Sequence, residues 1–345
     1  METRVAIIGA SGYTGAELIR LALSHPHIKI TNLSAHTQAE RAIEQLYPHF
    51  TQHHLPHLQT IDSIDWHDVD VAFFCLPHGY SNHYVKKIPP HVRIIDLSAD
   101  FRLKDSQIYQ HWYGKEHQAP ELLQRAAYGL SELNVGSIKS ARIIACPGCY
   151  PTATLLALLP LVKAGMISAN DIIIDAKSGV SGAGRTLNQN NLFCEISEGL
   201  HPYNISMHRH MPEIEQELSN AAKSNIKISF TPHLVPMNRG ELITAYIKRN
   251  KSYKNEDLRT CLKRIYHNKP FIQVMEPNVP VATRFVRASN HCHICVFDDR
   301  LNERSIIIAA IDNLVKGSSG QALQNFNIMM GYPEDTGLQQ IAMFP

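Results

Sequence analysis

At 345 residues, with 33 basic side chains against 31 acidic ones and a formal charge of +2, the chain is long for a single core. That charge gives no reason to expect a nucleic-acid or membrane-surface partner. It is 44% hydrophobic, yet no apolar run approaches the roughly 20 residues that span a bilayer, and it opens on a strand with no secretory leader ahead of it. Seven cysteines at positions 75, 146, 149, 194, 261, 292 and 295 are odd in number and scattered, which fits a reducing cytoplasm rather than a disulfide framework.

Residues 5–8 read as a buried strand that turns through Gly9, Ser11, Gly12, Tyr13, Thr14 and Gly15 into a helix. Glycines spaced Gly-x-x-Gly-x-x-Gly at a first strand–helix junction let backbone approach a pyrophosphate, while the helix N-terminus offers its amides and dipole. The expectation is dinucleotide binding. The next strand, residues 28–33, ends in Ser34 and His36 with Arg41 close by, where an NAD enzyme usually carries Asp or Glu for the ribose 2′-hydroxyl. Hydroxyl and cationic groups suit a 2′-phosphate, so the expected cofactor is NADP.

Residues 47–67 read as an irregular excursion. A buried strand over 69–75 then leads to Leu76 and Pro77, a strand-end loop on the cofactor side, with Cys75 inside the apolar run. A strand over 92–97 is followed by Ser98, Asp100 and Arg102, which suit either an anionic substrate or a capping and ion-pair cluster. Residues 103–140 carry no legible pattern.

Residues 141–145 read as a strand that Pro147-Gly148 turns into an apolar helix over 152–163, which places Cys149 at a helix N-terminus. There the backbone amides and dipole stabilise an anion, so the thiol can ionise and act as a nucleophile through a thioester. Both Cys146 and Cys149 also fit as small buried apolar residues. Beyond them a strand over 171–177 opens into a second glycine-rich loop, Ser178, Gly179 and on to Arg185, where backbone can come near a ligand. Residues 203–213 hold Tyr203, His208 and His210 ahead of a helix, and strands near 226–230 and 242–248 lack the helices a parallel sheet needs.

The pair His208 and His210 has no Cys or acidic ligand at a matching spacing, and residues 291–297 read as a strand with alternating faces rather than a zinc knuckle, so no metal is expected. A final strand joins a helix through Asn313, a cap or a ligand for an amide.

As an ordered set these motifs resemble the N-acetyl-gamma-glutamyl-phosphate reductase family, relatives of aspartate-semialdehyde dehydrogenase. The resemblance implies an α/β fold: a Rossmann-type NADP-binding domain over 1–148 with 311–345, and an α+β catalytic and oligomerisation domain with a mixed or antiparallel sheet over 149–310. It implies Cys149 as nucleophile, His208 as acid/base with His210 left open, Asn313 near the nicotinamide, and Ser98, Arg102 and Tyr203 about a small acyl-phosphate substrate. It also implies a cytoplasmic homo-oligomer, dimer or tetramer. Glu213 would orient the His208 ring if the helix start turns back toward it. One departure stands out, since the family usually has Asn-Pro-Gly-Cys where this chain has Cys146-Pro147-Gly148-Cys149. The second thiol keeps an NADP-binding redox sensor open as a rival, beside aspartate-semialdehyde dehydrogenase.

Overall fold

A computed structural model describes residues 2–345, in two compact units. The first runs to Pro147 and takes in Ser318–Gln339; the second is Gly148–Gly317 with Gln340–Pro345.

The first unit is built on seven strands: β1 (Thr3–Ile8), β2 (Ile28–Ser34), β3 (Leu58–Gln59), β4 (Val71–Phe74), β5 (Arg93–Asp96), β6 (Ala127–Tyr128) and β7 (Ile143–Ala145). All are parallel, in the order β3-β2-β1-β4-β5-β7-β6. Val-Ala-Phe-Phe in β4 is buried at every position, as a parallel strand covered on both faces must be. The order reverses beside β1, so the crevice at the carboxyl ends of β1 and β4 is where such a sheet binds a nucleotide. The stretch 47–67 is mostly short 3₁₀ turns, with β3 adding an edge strand. The illegible 103–140 region holds helices Ser106–Tyr113, Pro120–Leu123 and Val135–Ser140 together with β6.

The second unit holds β8 (Ile172–Gly179), β9 (His201–Pro202), β10 (Ile228–Val235), β11 (Glu241–Lys248), β12 (Ile272–Met275), β13 (Cys292–Asp298) and β14 (Arg304–Ile311). Their order is β12-β13-β14-β11-β8-β10-β9, a mixed sheet in which β8 and β10 run parallel and β11 is antiparallel to both neighbours. In β13 the expected alternation is absent. Residues from Cys292 to Val296 are all buried, because the strand lies inside the sheet between β12 and β14.

Two boundaries also differ from those the resemblance implies, a return to the first domain at 311 and a tail that stays there to 345. Arg304–Ile311 is an interior strand of the second sheet, paired along its length with β11 and β13, so the return comes only at Ser318. The last residues rejoin the second unit, where the Met343 N–H donates to the Arg287 carbonyl at 2.8 Å.

Helix Cys149–Lys163 is apolar on all sides and buried nearly throughout, which marks it as the second unit's central helix. Pro160 interrupts its ladder, because proline has no N–H to give the carbonyl four residues back. That carbonyl, Leu156 O, instead accepts the Tyr266 hydroxyl at 2.7 Å. A tyrosine from helix Asn255–Tyr266 thus closes the gap that the proline opens.

Candidate active site

The helix begins three residues earlier than the sequence suggested, with Gly148 as N-cap and Cys149 as its first residue. The thiol therefore stands among the unpaired amides of the first turn, where negative charge is favoured. Glycine is required at 148 for space: a Cβ there would lie 2.3 Å from His210 Nε2, so only glycine lets that imidazole rest against the backbone one residue before the thiol. On another side, a Cβ at Gly317 would meet the Cys149 Cβ at 2.7 Å. The first approach seats the His210 ring and the second seats the Cys149 side chain.

The carboxylate expected to orient His208 serves the cap instead. Glu213 Oε1 accepts the Gly148 N–H at 3.0 Å, because the start of helix Met211–Ala222 places it against residue 148. His208 is oriented from its own loop, its Nδ1 accepting the His210 N–H at 3.1 Å. An accepting Nδ1 puts the proton on Nε2. Burial, with a smaller push from Arg209, holds His208 down to about 4, so at neutral pH it is a neutral ring with one N–H to donate. Its ring meets Tyr150 and Tyr203 edge-on, with centroids 5.6 and 5.3 Å away, and tilts against Phe230. Tyr203 donates its hydroxyl to that of Tyr150 at 3.3 Å, and burial pushes both phenols up, keeping them neutral donors.

Glu241 was not singled out in the sequence. It opens β11, and its carboxyl is fully buried beside Cys149, neither oxygen having a well-aligned donor. Burial pushes it up to about 8, hydrogen bonding with the Cys149 thiol pulls it down, and Asp312 pushes it up. A signal was present in the pattern, since Glu241 shares the inward face of β11 with Ile243, Ala245 and Ile247.

Asn313 reaches toward the same strand end: its Oδ1 accepts the Gly240 N–H at 2.8 Å and its Nδ2 donates to Ser181 Oγ at 2.9 Å. It ties the 178–185 loop to the start of β11. That loop is anchored by Gly179 N–H on Gly240 O and Val180 N–H on Met237 O. Ser178 is buried, with its hydroxyl turned to the Gly179 carbonyl.

In the first unit, Gly9 has φ +88°, and a Cβ there would lie 2.4 Å from the Cys75 carbonyl, which forces glycine where β1 passes the end of β4. Gly9 and Ala10 donate to the Ser34 carbonyl, and Gly12 caps helix Tyr13–Ala22. Thr14 is held by Ser319 and Ser318, and the Ser11 carbonyl accepts the Tyr47 hydroxyl. Tyr13 and His36 are exposed, Ser34 is buried, and Leu76 and Pro77 follow β4 beside Gly9. Beyond β5, Ser98 donates to Asp96 at 2.8 Å, while Arg102 donates to the Cys146 and Leu97 carbonyls at 2.8 and 3.1 Å. Both are buried in a hydrogen-bonded cluster.

Cys146 is buried, its sulfur accepting from Asn325 Nδ2 at 3.6 Å, and burial pushes its thiol up to about 12. Such a thiol is a poor redox partner, because the thiolate is the reactive form. Cys146→Ser is therefore expected to keep wild-type turnover in a steady-state assay. A loss matching that of a Cys149 variant would restore the dithiol sensor. Among the described residues no disulfide joins any cysteines, no group of three His, Cys, Asp or Glu side chains is placed to hold a metal, and no helix is long and apolar enough to cross a membrane.

Residues 4–141 match the family model for the semialdehyde dehydrogenase NAD binding domain, and residues 149–313 that for the semialdehyde dehydrogenase dimerisation domain. The chain is 49% identical over 344 residues to a probable chloroplastic N-acetyl-gamma-glutamyl-phosphate reductase of Arabidopsis thaliana, covering 100% of this chain and 86% of that one. It is 48% identical over 346 residues to the N-acetyl-gamma-glutamyl-phosphate reductase of Rhodospirillum rubrum, covering 99% and 98%. Among solved structures, aspartate semialdehyde dehydrogenase II of Vibrio cholerae superposes with a TM-score of 0.73 at 17% identity, over 96% of this chain and 99% of that one. Aspartate semialdehyde dehydrogenase of Candida albicans, solved with NADP, gives 0.72 at 16%, over the same shares.

Proposed function

The chain belongs to the N-acetyl-gamma-glutamyl-phosphate reductases of the semialdehyde dehydrogenase family, and on that premise we propose how its own residues carry the reaction. The substrate is N-acetyl-gamma-glutamyl phosphate, reduced to N-acetyl-glutamate semialdehyde with release of phosphate, a step of arginine biosynthesis. Cys149 attacks the acyl carbon, the carbon–oxygen bond to phosphate breaks, and a thioester remains. Hydride addition leaves an oxyanion on that carbon; when the oxyanion collapses, the carbon–sulfur bond breaks and the aldehyde departs. The Nε2–H of His208 donates to the developing oxyanion, with the Tyr203 and Tyr150 phenols closing the apolar wall behind it.

The observation that carries this reading is Cys149 as first residue of a buried apolar helix, in the same unit as a neutral histidine whose tautomer is fixed. A nicotinamide dinucleotide supplies the hydride. The glycine turn fits one: Gly9 and Gly15 leave no room for side chains, and the loop delivers Gly12 as cap to a ten-residue helix. We assign Gly9, Ser11, Gly12, Tyr13, Thr14 and Gly15 to the pyrophosphate, Leu76 and Pro77 to the crevice wall, and Ser178, Gly179 and Asn313 to the nicotinamide end. Ser34 and His36, with no acidic residue at the end of β2, favour NADP over NAD. Ser98 and Arg102 are assigned to the phosphate of the substrate and Tyr203 to its acyl part. The match to a dimerisation domain supports a homo-oligomer, dimer or tetramer, and the scattered thiols support a cytoplasmic setting.

The reverse reaction tests this. Reduction of NADP by N-acetyl-glutamate semialdehyde should require phosphate or arsenate, because the thioester needs an oxyanion to accept the acyl group. It should exceed the rate with NAD and the rate with aspartate semialdehyde. Turnover without either anion, or a preference for aspartate semialdehyde, would sink the assignment.

A further inference from the structure

The mechanism above leaves the thiol's proton without an acceptor. His208 cannot take it, since its Nδ1 is engaged by the His210 N–H and its Nε2 already carries a proton. Glu241 is fully buried on the inward face of β11, opposite Ser178 on β8 and Ile311 on β14. Two buried carboxylate oxygens without a well-aligned donor are an arrangement that folding alone does not favour. The groups about it are Cys149, Tyr150 and Tyr203 from the helix and the tyrosine loop, and Asp312 after β14, itself 3.8 Å from the Arg239 guanidinium.

We propose that Glu241 is the base that takes the proton of the Cys149 thiol as sulfur attacks, and that it returns this proton to the sulfur when the aldehyde leaves. The inference rests on the thioester reading. In acylation the S–H bond breaks, its proton passes to the carboxylate and its electron pair forms the sulfur–carbon bond; the departing phosphate takes its own proton from solvent. Glu241 then sits neutral through the life of the thioester, the state that burial favours. On collapse the carbon–sulfur bond breaks and the carboxyl reprotonates the sulfur, which resets both groups. Over the cycle one proton and one hydride are consumed for each aldehyde and phosphate released.

The test is the burst of phosphate released from N-acetyl-gamma-glutamyl phosphate by enzyme without dinucleotide, followed across pH. A base must be ionised to act, so the wild-type burst rate should rise with pH through about 8. Glu241→Gln keeps the shape but accepts no proton, so its burst should be about 100-fold slower and lack the inflexion. Alkylation of Cys149 by iodoacetamide at strongly alkaline pH, where the thiol ionises unaided, should stay at the wild-type rate and show that the site is intact. A Gln variant that keeps both burst rate and inflexion overturns the proposal. Should that variant not fold, Glu241→Asp decides, since it must keep the inflexion at lower amplitude, and its absence is equally fatal. A wild-type enzyme that gives no burst defeats the thioester reading itself, whatever Glu241 does.

Discussion

Replacing Cys149 by Ser should lower kcat by more than about a thousand-fold, a scale consistent with removing a nucleophile on which every later step depends. The hydroxyl fits the space that Gly317 and the Gly148 cap leave at the first helical position, so the fold and the first unit's glycine turn should be unaffected. What is lost is the chemistry: a serine hydroxyl ionises far less readily than a thiol, and an oxygen ester is a poorer hydride acceptor and leaving group than a thioester. Steady-state oxidation of NADPH measures the loss, and a fluorescence titration of bound NADPH, expected to be unchanged, separates it from misfolding. Near-normal turnover in this variant would remove Cys149 from the mechanism.

His208→Asn should lower kcat by about two to three orders of magnitude with little change in NADPH affinity. Asparagine keeps a polar group of similar size but has no ring to pack against Tyr150, Tyr203 and Phe230 and so cannot hold a donor where the imidazole N–H stands. The folded value of about 4 lies below the usual 6.5, so as pH falls between these values the unfolded chain binds a proton that the native one refuses. Stability contributed by the neutral ring is complete above about 6.5 and declines toward about 4. In the wild type, kcat should accordingly show no imidazole inflexion near 6.5. If His208→Asn turns over normally while His210→Asn does not, the role passes to the ring that lies against Gly148.

The glycine turn, the strands β1, β2, β4, β5 and β7 and the cysteine at the head of its helix were legible because each rests on local pattern: glycine where backbone must approach backbone, apolar runs where both faces are covered, and a Pro-Gly turn before a helix. The partners of Cys149 were not legible in the same way. Glu241 lies 92 positions along the chain, and its burial beside the thiol follows from the pairing of β11 with β8 and β14, which no local window contains. The partner of Glu213, the Gly148 N–H rather than His208, depends on where helix Met211–Ala222 meets the Gly148 cap. For Ser98 and Arg102 the hydrogen bonds to Asp96 and to the Leu97 carbonyl are local, whereas the one from Arg102 to the Cys146 carbonyl follows from β5 and β7 lying side by side.

Pro160 and Tyr266 carry a consequence for how this sequence can change over generations. While the proline stands, losing the Tyr266 hydroxyl strands the Leu156 carbonyl in the core, at a cost of about 1–3 kcal/mol. Once residue 160 has an N–H of its own, the helix can supply that bond from within, and the tyrosine no longer has to. The two positions are therefore open to drift in one order and closed in the other, so a lineage that abandons the tyrosine must first have abandoned the proline.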